Sequence, residues 1–285
     1  MVDKMNPCLI CQGELKHFRT INTYKLTECT GCGIIGLINP QADQDQFIKN
    51  TRNQSDPSKT IETSTGYDYF SFPEYVEKYQ PIFDFFFRQR LNRLAVHGIK
   101  SGADILDAGC GYGFFVKHLS DHGFEADGID IEPNCVEYAK NTLSLKNIYH
   151  SSLEQFNKAD KKYNAIVSCD VLEHCKNPMA FIESCKGLLK KDGLLYLQVP
   201  NVIGFRIPYG YSLGLPYHIW HYNPKSLKRL LEINGFEVLD YWTGTSGVIN
   251  REEKKTMNLF FRFKIAMASF FKIGIRLQMV ARCHK

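Results

Sequence analysis

The sequence predicts an α/β protein: a doubly wound, mostly parallel sheet with a small metal-binding ribbon at its N-terminus. Three observations predict it. Short apolar runs alternate with amphipathic stretches between residues 103 and 200. One of those runs ends in a glycine-rich turn, ILDAGCGYGFF, Ile105–Phe115. Two Cys-x-x-Cys pairs occupy the first forty residues.

A chain of 285 residues that is 44% hydrophobic can build one large domain with a small appendage. No secretory leader and no bilayer-length apolar stretch stands out, and ten cysteines then point to a reducing, cytoplasmic setting. The formal charge of +5 is uneven: residues 1–250 carry 26 Lys+Arg against 28 Asp+Glu, and residues 251–285 carry nine against two. A nucleic-acid enzyme would place its positive charge around the cofactor domain, so this distribution argues against nucleic acid as a partner.

The first segment, residues 1–40, reads as a zinc ribbon. Cys8 and Cys11 form one pair, Cys29 and Cys32 the other, with the spacing C-x2-C-x17-C-x2-C. Each pair bends as a knuckle, and Gly31 and Gly33 frame the second bend. Four thiolates close a tetrahedron around Zn2+ with no position left for water, which makes the metal structural. Residues 41–72 form a polar linker or lid. Tyr67 and Tyr69 at its end could close over a ligand.

The main domain spans 73–285. Its spacing predicts a helix over Glu74–Val96, with Pro81 at a start or a kink. Strands follow at 103–108, 124–129, 146–150, 163–169 and 194–199, and helices at 113–122, 133–143 and 177–190. In a sheet of this kind ligands bind at the carboxyl ends of the strands, at the switch point.

The glycine turn narrows the ligand. Phe114 stands where a dinucleotide fingerprint needs its third glycine, and the Gly-Lys-Ser/Thr of a phosphate loop is absent. Asp107, two residues before the first glycine, suits a cation better than a pyrophosphate. S-adenosylmethionine carries an ammonium and a sulfonium and no phosphate.

The D-x-G-x-G-x-G turn, followed by GIDIEP (Gly128–Pro133), SSLEQF (Ser151–Phe156), YNAIVSCDVLEH (Tyr163–His174) and LLKKDGLLYLQVPN (Leu188–Asn201), resembles the ordered motifs of class I S-adenosylmethionine-dependent methyltransferases. The resemblance implies a Rossmann-like, seven-stranded sheet with an antiparallel last strand. It implies cofactor contacts from Asp107, Gly109, Cys110, Gly111 and Gly113, with Asp130 holding both ribose hydroxyls and Ile131 against the adenine. Ser152 and Leu153 would lie at the adenine edge, Ser152 standing where an aspartate is common, and Asp170 near the methionine end. For Asp130 an N-cap role before Pro133 is a second reading.

Beyond residue 200, a helix at 224–234 precedes a sixth strand, Gly235–Gly244, and Ile275–Cys283 reads as the seventh. Between these strands an insertion, 252–272, carries aromatic and aliphatic residues at helical spacing among Arg262, Lys264 and Lys272. It is either a helix packed on its own domain or on a second copy of the chain, or an interfacial helix on an anionic membrane surface. Residues 201–222 form a long aromatic loop with His218, Trp220, His221 and Tyr222 together near its end. Such a loop, and an N-terminal zinc segment, also occur in small-molecule methyltransferases of sugar and polysaccharide pathways, which the chain resembles.

The reaction this implies is methyl transfer to a small acceptor, a hydroxyl of a sugar, nucleotide sugar or glycan being favoured. Quinone and lipid acceptors share the architecture. A hydroxyl needs a base, and His221, then His174, then His218 are the candidates, with Glu173 as an orienting partner or helix cap. An RNA base methyltransferase with an RNA-gripping ribbon is the alternative. Against it, Cys169-Asp170-Val171-Leu172 replaces the Asn-Pro-Pro-Tyr loop of many base-amine methylases. A non-enzymatic cofactor-binding module is the third reading.

Overall fold

A computed structural model of the chain describes residues 7–38, 72–158, 161–203, 214–244, 263, 267, 270–271 and 274–284. The chain opens with β1 (Leu15–Ile21), β2 (Tyr24–Cys29) and β3 (Ile35–Leu37), an antiparallel meander. Two helices follow, α1 (Phe72–Lys78) and α2 (Gln80–Val96). The expected single helix breaks at Tyr79 because Pro81 has no N–H to donate and sits in the first turn of the second helix.

The alternating part then runs β4 (Asp104–Ala108), α3 (Phe114–Asp121), β5 (Glu125–Asp130), α4 (Pro133–Asn141), β6 (Ile148–His150) and β7 (Tyr163–Cys169). A short 3-10 turn at Leu172–His174 leads into α5 (Pro178–Leu188) and β8 (Leu189–Pro200). The strand begins at Leu189 rather than 194, because Leu189 already pairs with Tyr163 across an irregular register. The chain ends with β9 (Trp220–His221), α6 (Pro224–Ile233), β10 (Phe236–Gly244) and β11 (Arg276–Cys283).

The large sheet has the order β10-β11-β8-β7-β4-β5-β6. Its pairs from β6 to β8 are parallel, whereas β11 runs antiparallel to both β8 and β10. β4 and β7 are buried almost throughout, as strands covered on both faces must be. One apolar cluster joins α2, α3 and α4 to one face through Phe83, Phe87, Phe115, Ile105 and Val167. The other joins α5 and α6 to the opposite face through Phe181, Ile182, Leu227, Leu230, Leu106 and Ile166, and it includes Cys8, Cys29 and Cys32.

The helix starts follow local chemistry. Asn177 caps α5 by accepting from the N–H groups of Met179 and Ala180, at 3.1 Å each, ahead of Pro178. Asn223 and Ser226 form a reciprocal capping box at α6.

A second, four-stranded sheet has the order β1-β2-β3-β9. Its last strand comes from the far side of the chain, so the ribbon is completed by the loop that follows β8. The parallel bridge Asn201↔Tyr222 pins the two ends of that loop together. The linker or lid at 41–72 lies outside the described residues except for Phe72, as do Tyr67 and Tyr69, the middle of the substrate loop (204–213) and most of the 252–272 insertion.

Candidate active site

The strand order reverses between β4 and β7, which opens a crevice at their carboxyl ends. The glycine turn leaves β4 there. Gly109, Gly111 and Gly113 have φ of +85°, +51° and +81°, a region that disfavours side chains. Their reasons differ. A Cβ on Gly109 would overlap Val171, and one on Gly113 would come within 2.9 Å of Ala139 and Leu145, so these two let elements approach. Among the described residues nothing lies within 4 Å of a Cβ added at Gly111, so the backbone there is uncovered by them. Cys110 is buried between them, and its N–H, like that of Gly109, bonds to the Ile129 carbonyl at 2.9 Å and ties the turn to β5.

Asp130 ends β5 and is buried. Its Oδ2 accepts from the Gly111 N–H at 2.7 Å and its Oδ1 from the Glu132 N–H at 2.9 Å. These bonds fix the carboxylate at the mouth of the crevice and leave lone pairs for a ligand. The N-cap of α4 is Glu132, so Asp130 does not cap that helix. Ile131 beside it is 65% exposed, an uncovered apolar face where a flat ring could rest. Ser152 is half-buried and Leu153 is packed in the core.

Asp107 is buried, and desolvation, with Asp130 nearby, pushes its pKa up to about 7 against the pull of Arg90. Arg90 was not singled out in the sequence. It reaches from α2, lies 5.4 Å from the Phe87 ring centroid and 5.1 Å from that of Phe115, and the charges of Asp107 and Asp170 favour its ionised form. The available signal was a cation in an otherwise aromatic helical stretch, IFDFFFRQR.

Asp170 follows β7 with φ +57°, an uncommon conformation for a residue with a side chain. Gln198 donates to its Oδ2 at 2.8 Å, and Arg276 Nε lies 3.2 Å from its Oδ1. The neighbouring turn holds Glu173, which is 1% exposed and whose carboxylate oxygens have no hydrogen-bond partner among the described residues. Burial, reinforced by Asp170, raises its pKa well above the ordinary carboxylate range. Glu173 does not cap the next helix, since Asn177 does.

His174 and His218 meet edge to face with ring centroids 4.8 Å apart. His174 Nδ1 lies 3.0 Å from the Tyr217 carbonyl oxygen. A carbonyl only accepts, so this bond places the proton of the neutral ring on Nδ1 and leaves Nε2 with its lone pair. Part of the His174 ring is open to solvent, yet the surrounding protein lowers its pKa by desolvation. Ligand atoms of Glu173, His174 and His218 all lie within 4.8 Å of one another.

His221 is not part of that group, although its strand packs against the same turn. It lies in β9 opposite Ile35, is 4% exposed, and its pKa is lowered to about 4 by burial. Trp220 donates its indole N–H to the Cys175 carbonyl at 2.8 Å, and Tyr222 is fully buried in the core. Of the aromatic cluster read from the sequence, His218 alone joins His174.

At the N-terminus Cys8, Cys11, Cys29 and Cys32 bring their sulfurs within 4.8 Å of one another. Cys8–Cys32 and Cys11–Cys29 Sγ distances are 3.7 and 3.4 Å. Four ligands at the usual Zn–S length would define a tetrahedron with edges of about 3.8 Å, so this donor set fits such an ion. Burial opposes ionisation, but N–H groups of Cys32 and Gly31 and the Cys11 thiol outweigh it at Cys29 and bring its pKa to about 7.

In the 252–272 insertion the described apolar residues Phe263, Met267, Phe270 and Phe271 face solvent. Among the described residues no helix is long and apolar enough to cross a membrane.

Comparisons with known proteins agree with this geometry. A probable S-adenosylmethionine-dependent methyltransferase of Mycolicibacterium smegmatis is 29% identical over 140 residues, covering 49% of this chain and 54% of that protein. The ubiquinone biosynthesis O-methyltransferase of Glaesserella parasuis is 32% identical over 109 residues, covering 35% of this chain and 46% of that protein. The chain thus spans about half the length of these relatives. In fold, the crystal structure of a SAM-dependent methyltransferase from Archaeoglobus fulgidus matches with a TM-score of 0.53 at 18% identity, covering 74% of this chain and 99% of that one. The sequence profile described as "Methyltransferase domain" matches residues 75–241, more than half of the chain, and the protein therefore belongs to the S-adenosylmethionine-dependent methyltransferase domain family.

Proposed function

We propose that the protein transfers a methyl group from S-adenosylmethionine to a hydroxyl of a small acceptor held between the crevice and the His174–His218 pair. The observation that carries the reading is the juxtaposition of those two rings beside the buried Glu173. S-adenosylmethionine supplies an electrophilic methyl on a sulfonium, so the protein mainly has to position and deprotonate the nucleophile.

Each residue has a part. Asp130 and the Gly111 backbone frame the ribose end, Ile131 and Leu153 the adenine, Asp107 and Asp170 the cationic methionine end. Arg90, coupled by charge to both aspartates, is suited to a carboxylate at that end. His174 accepts the acceptor's proton at Nε2, because Nδ1 is engaged with Tyr217 and the ring stays neutral near pH 7. His218 holds the His174 ring and faces the same acceptor. Glu173, kept protonated by burial, can donate to an acceptor oxygen. His221 ranks behind both, since its ring is buried in a strand and lies outside the group whose ligand atoms meet within 4.8 Å.

A sugar-type hydroxyl remains the favoured acceptor on the aromatic composition of 201–222. A second acceptor class, a quinol or lipid-like phenol, is favoured by the relatives named for ubiquinone biosynthesis, and by the solvent-facing Phe263, Met267, Phe270 and Phe271 within a segment rich in Lys and Arg. We also infer that the four-cysteine cluster holds a structural Zn2+.

The deciding experiment incubates the protein with methyl-labelled S-adenosylmethionine and matched panels of nucleotide sugars, glycans, quinols and RNA. Label on a hydroxyl of a small acceptor, lost in His174→Gln, is the expected result. Label confined to RNA would overturn the proposal.

A further inference from the structure

We propose that the four-cysteine centre positions the acceptor side of the active site, through β9 and Asn223, and leaves the cofactor crevice untouched. The inference rests on the reading of His174 and His218 as acceptor-facing. β9 is held on one side by the ribbon: Ile35 pairs with His221, Gly36 with Trp220, and the Leu37 N–H donates to the Ile219 carbonyl at 3.0 Å. On its other side the same segment holds the turn after β7: the Ile219 N–H donates to the Glu173 carbonyl at 2.9 Å, and the Trp220 indole to that of Cys175 at 2.8 Å. Tyr217 and His218 immediately precede this segment and carry the two contacts to His174.

A two-residue strand cannot hold itself in water, because two ladder pairs do not offset the backbone entropy of ordering it. Its order comes from β3, and β3 begins three residues after Cys32. Packing reinforces the pairing. The Trp220 ring lies over Gly36, where an added Cβ would come within 2.8 Å of it. The Asn223 side-chain N–H donates to the Gly33 carbonyl at 2.8 Å, inside the second knuckle. The ribbon's contacts thus run from the Cys32 knuckle through β3 and β9 to Glu173, His174 and His218. None of these bonds reaches Asp107, Gly111 or Asp130.

Hydrogen-exchange mass spectrometry on the full chain tests this, before and after removal of the metal with a chelator. Amides of 34–38 and 217–223 should exchange about tenfold faster or more without metal, while those of 104–108 and 163–169 keep their protection. Affinity for S-adenosylmethionine should hold, and methyl transfer should fall about 10²-fold, the cost of a misplaced acceptor. Should chelation unfold the whole chain, Asn223→Asp gives the answer. It keeps the α6 cap and all four cysteines but removes the donor to Gly33 and sets a negative charge against that carbonyl. It should speed exchange at 217–223 and lower turnover with cofactor affinity intact. Unchanged exchange at 217–223 in both experiments would overturn the proposal. Faster exchange with unchanged turnover would leave the coupling standing and remove His174 and His218 from the acceptor site.

Discussion

Asp130 accepts a 2.7 Å hydrogen bond from the backbone N–H of Gly111, nineteen residues upstream, and so locks the end of β5 to the glycine turn after β4. The bond makes the carboxylate a structural clamp, and we propose that its remaining lone pairs hold the cofactor ribose. Asp130→Ala should weaken S-adenosylmethionine binding roughly tenfold or more, from two lost hydrogen bonds near 1 kcal/mol each and a loosened turn. Calorimetric titration checks it, and unchanged affinity would remove Asp130 from the cofactor site.

The three glycines of the turn separate by substitution. Gly113→Ala drives a methyl into Ala139 and Leu145 in addition to the left-handed penalty, so its main effect should be a lower melting temperature. Gly111→Ala meets no atom of the described residues and should cost only about 1 kcal/mol of stability for its backbone angle. On the proposed cofactor placement its methyl enters the ligand's space, so affinity should suffer more than stability. Thermal melts with and without S-adenosylmethionine compare the two, and the ligand-induced shift should shrink more in Gly111→Ala.

The α/β alternation was legible because parallel strands bury both faces and write themselves as apolar runs, as in Ile105–Ala108 and Ala165–Ser168. The cysteine pairs and Asp130 were legible because fixed spacing and a strand-end carboxylate survive without tertiary context. The position of His221 was not. Trp220 and His221 become a strand only by pairing with Ile35 and Gly36, and a partner that far away in sequence leaves no period to read. Arg90 escaped for a similar reason: helical spacing shows which face is apolar, and says nothing of the aspartates that tertiary packing sets opposite one cation.

Cofactor binding should depend on pH through Asp107. Its pKa of about 7 in the free protein means that the carboxylate is half-protonated near neutrality. A cationic ligand favours the ionised form, so binding lowers that pKa and releases a proton. Affinity should therefore rise as pH increases through 7 and level off above it, and weaken as pH falls. Titrations in buffers of different ionisation enthalpy should register proton release near pH 7, and Asp107→Asn should abolish it while binding more weakly at high pH.

Metal content follows from the sulfur geometry. Freshly purified protein should carry about one zinc per chain, and Cys29→Ser should lose it, since three thiolates bind far less tightly than four. Because Cys8, Cys29 and Cys32 sit in the same apolar cluster as Leu227 and Leu230 of α6, the loss should also lower the melting temperature. Elemental analysis with thermal melts checks both, and a metal-free native protein would retire the assignment.

The base is identified by where the acid limb of the rate profile falls. His174 has its pKa lowered from the ordinary histidine value by desolvation, so its neutral, proton-accepting form persists below pH 6.5. Turnover should rise with pH along a limb centred below that value and flatten above it. His174→Gln should cut kcat by about 10²–10⁴ with S-adenosylmethionine affinity intact, because the lost function is proton transfer alone. His221, with a pKa of about 4 and a buried ring in β9, predicts a different pattern. His221→Gln should act on stability and on the exchange of β9, with the pH limb unmoved. A limb that shifts in His221→Gln and stays in His174→Gln would reverse the two assignments.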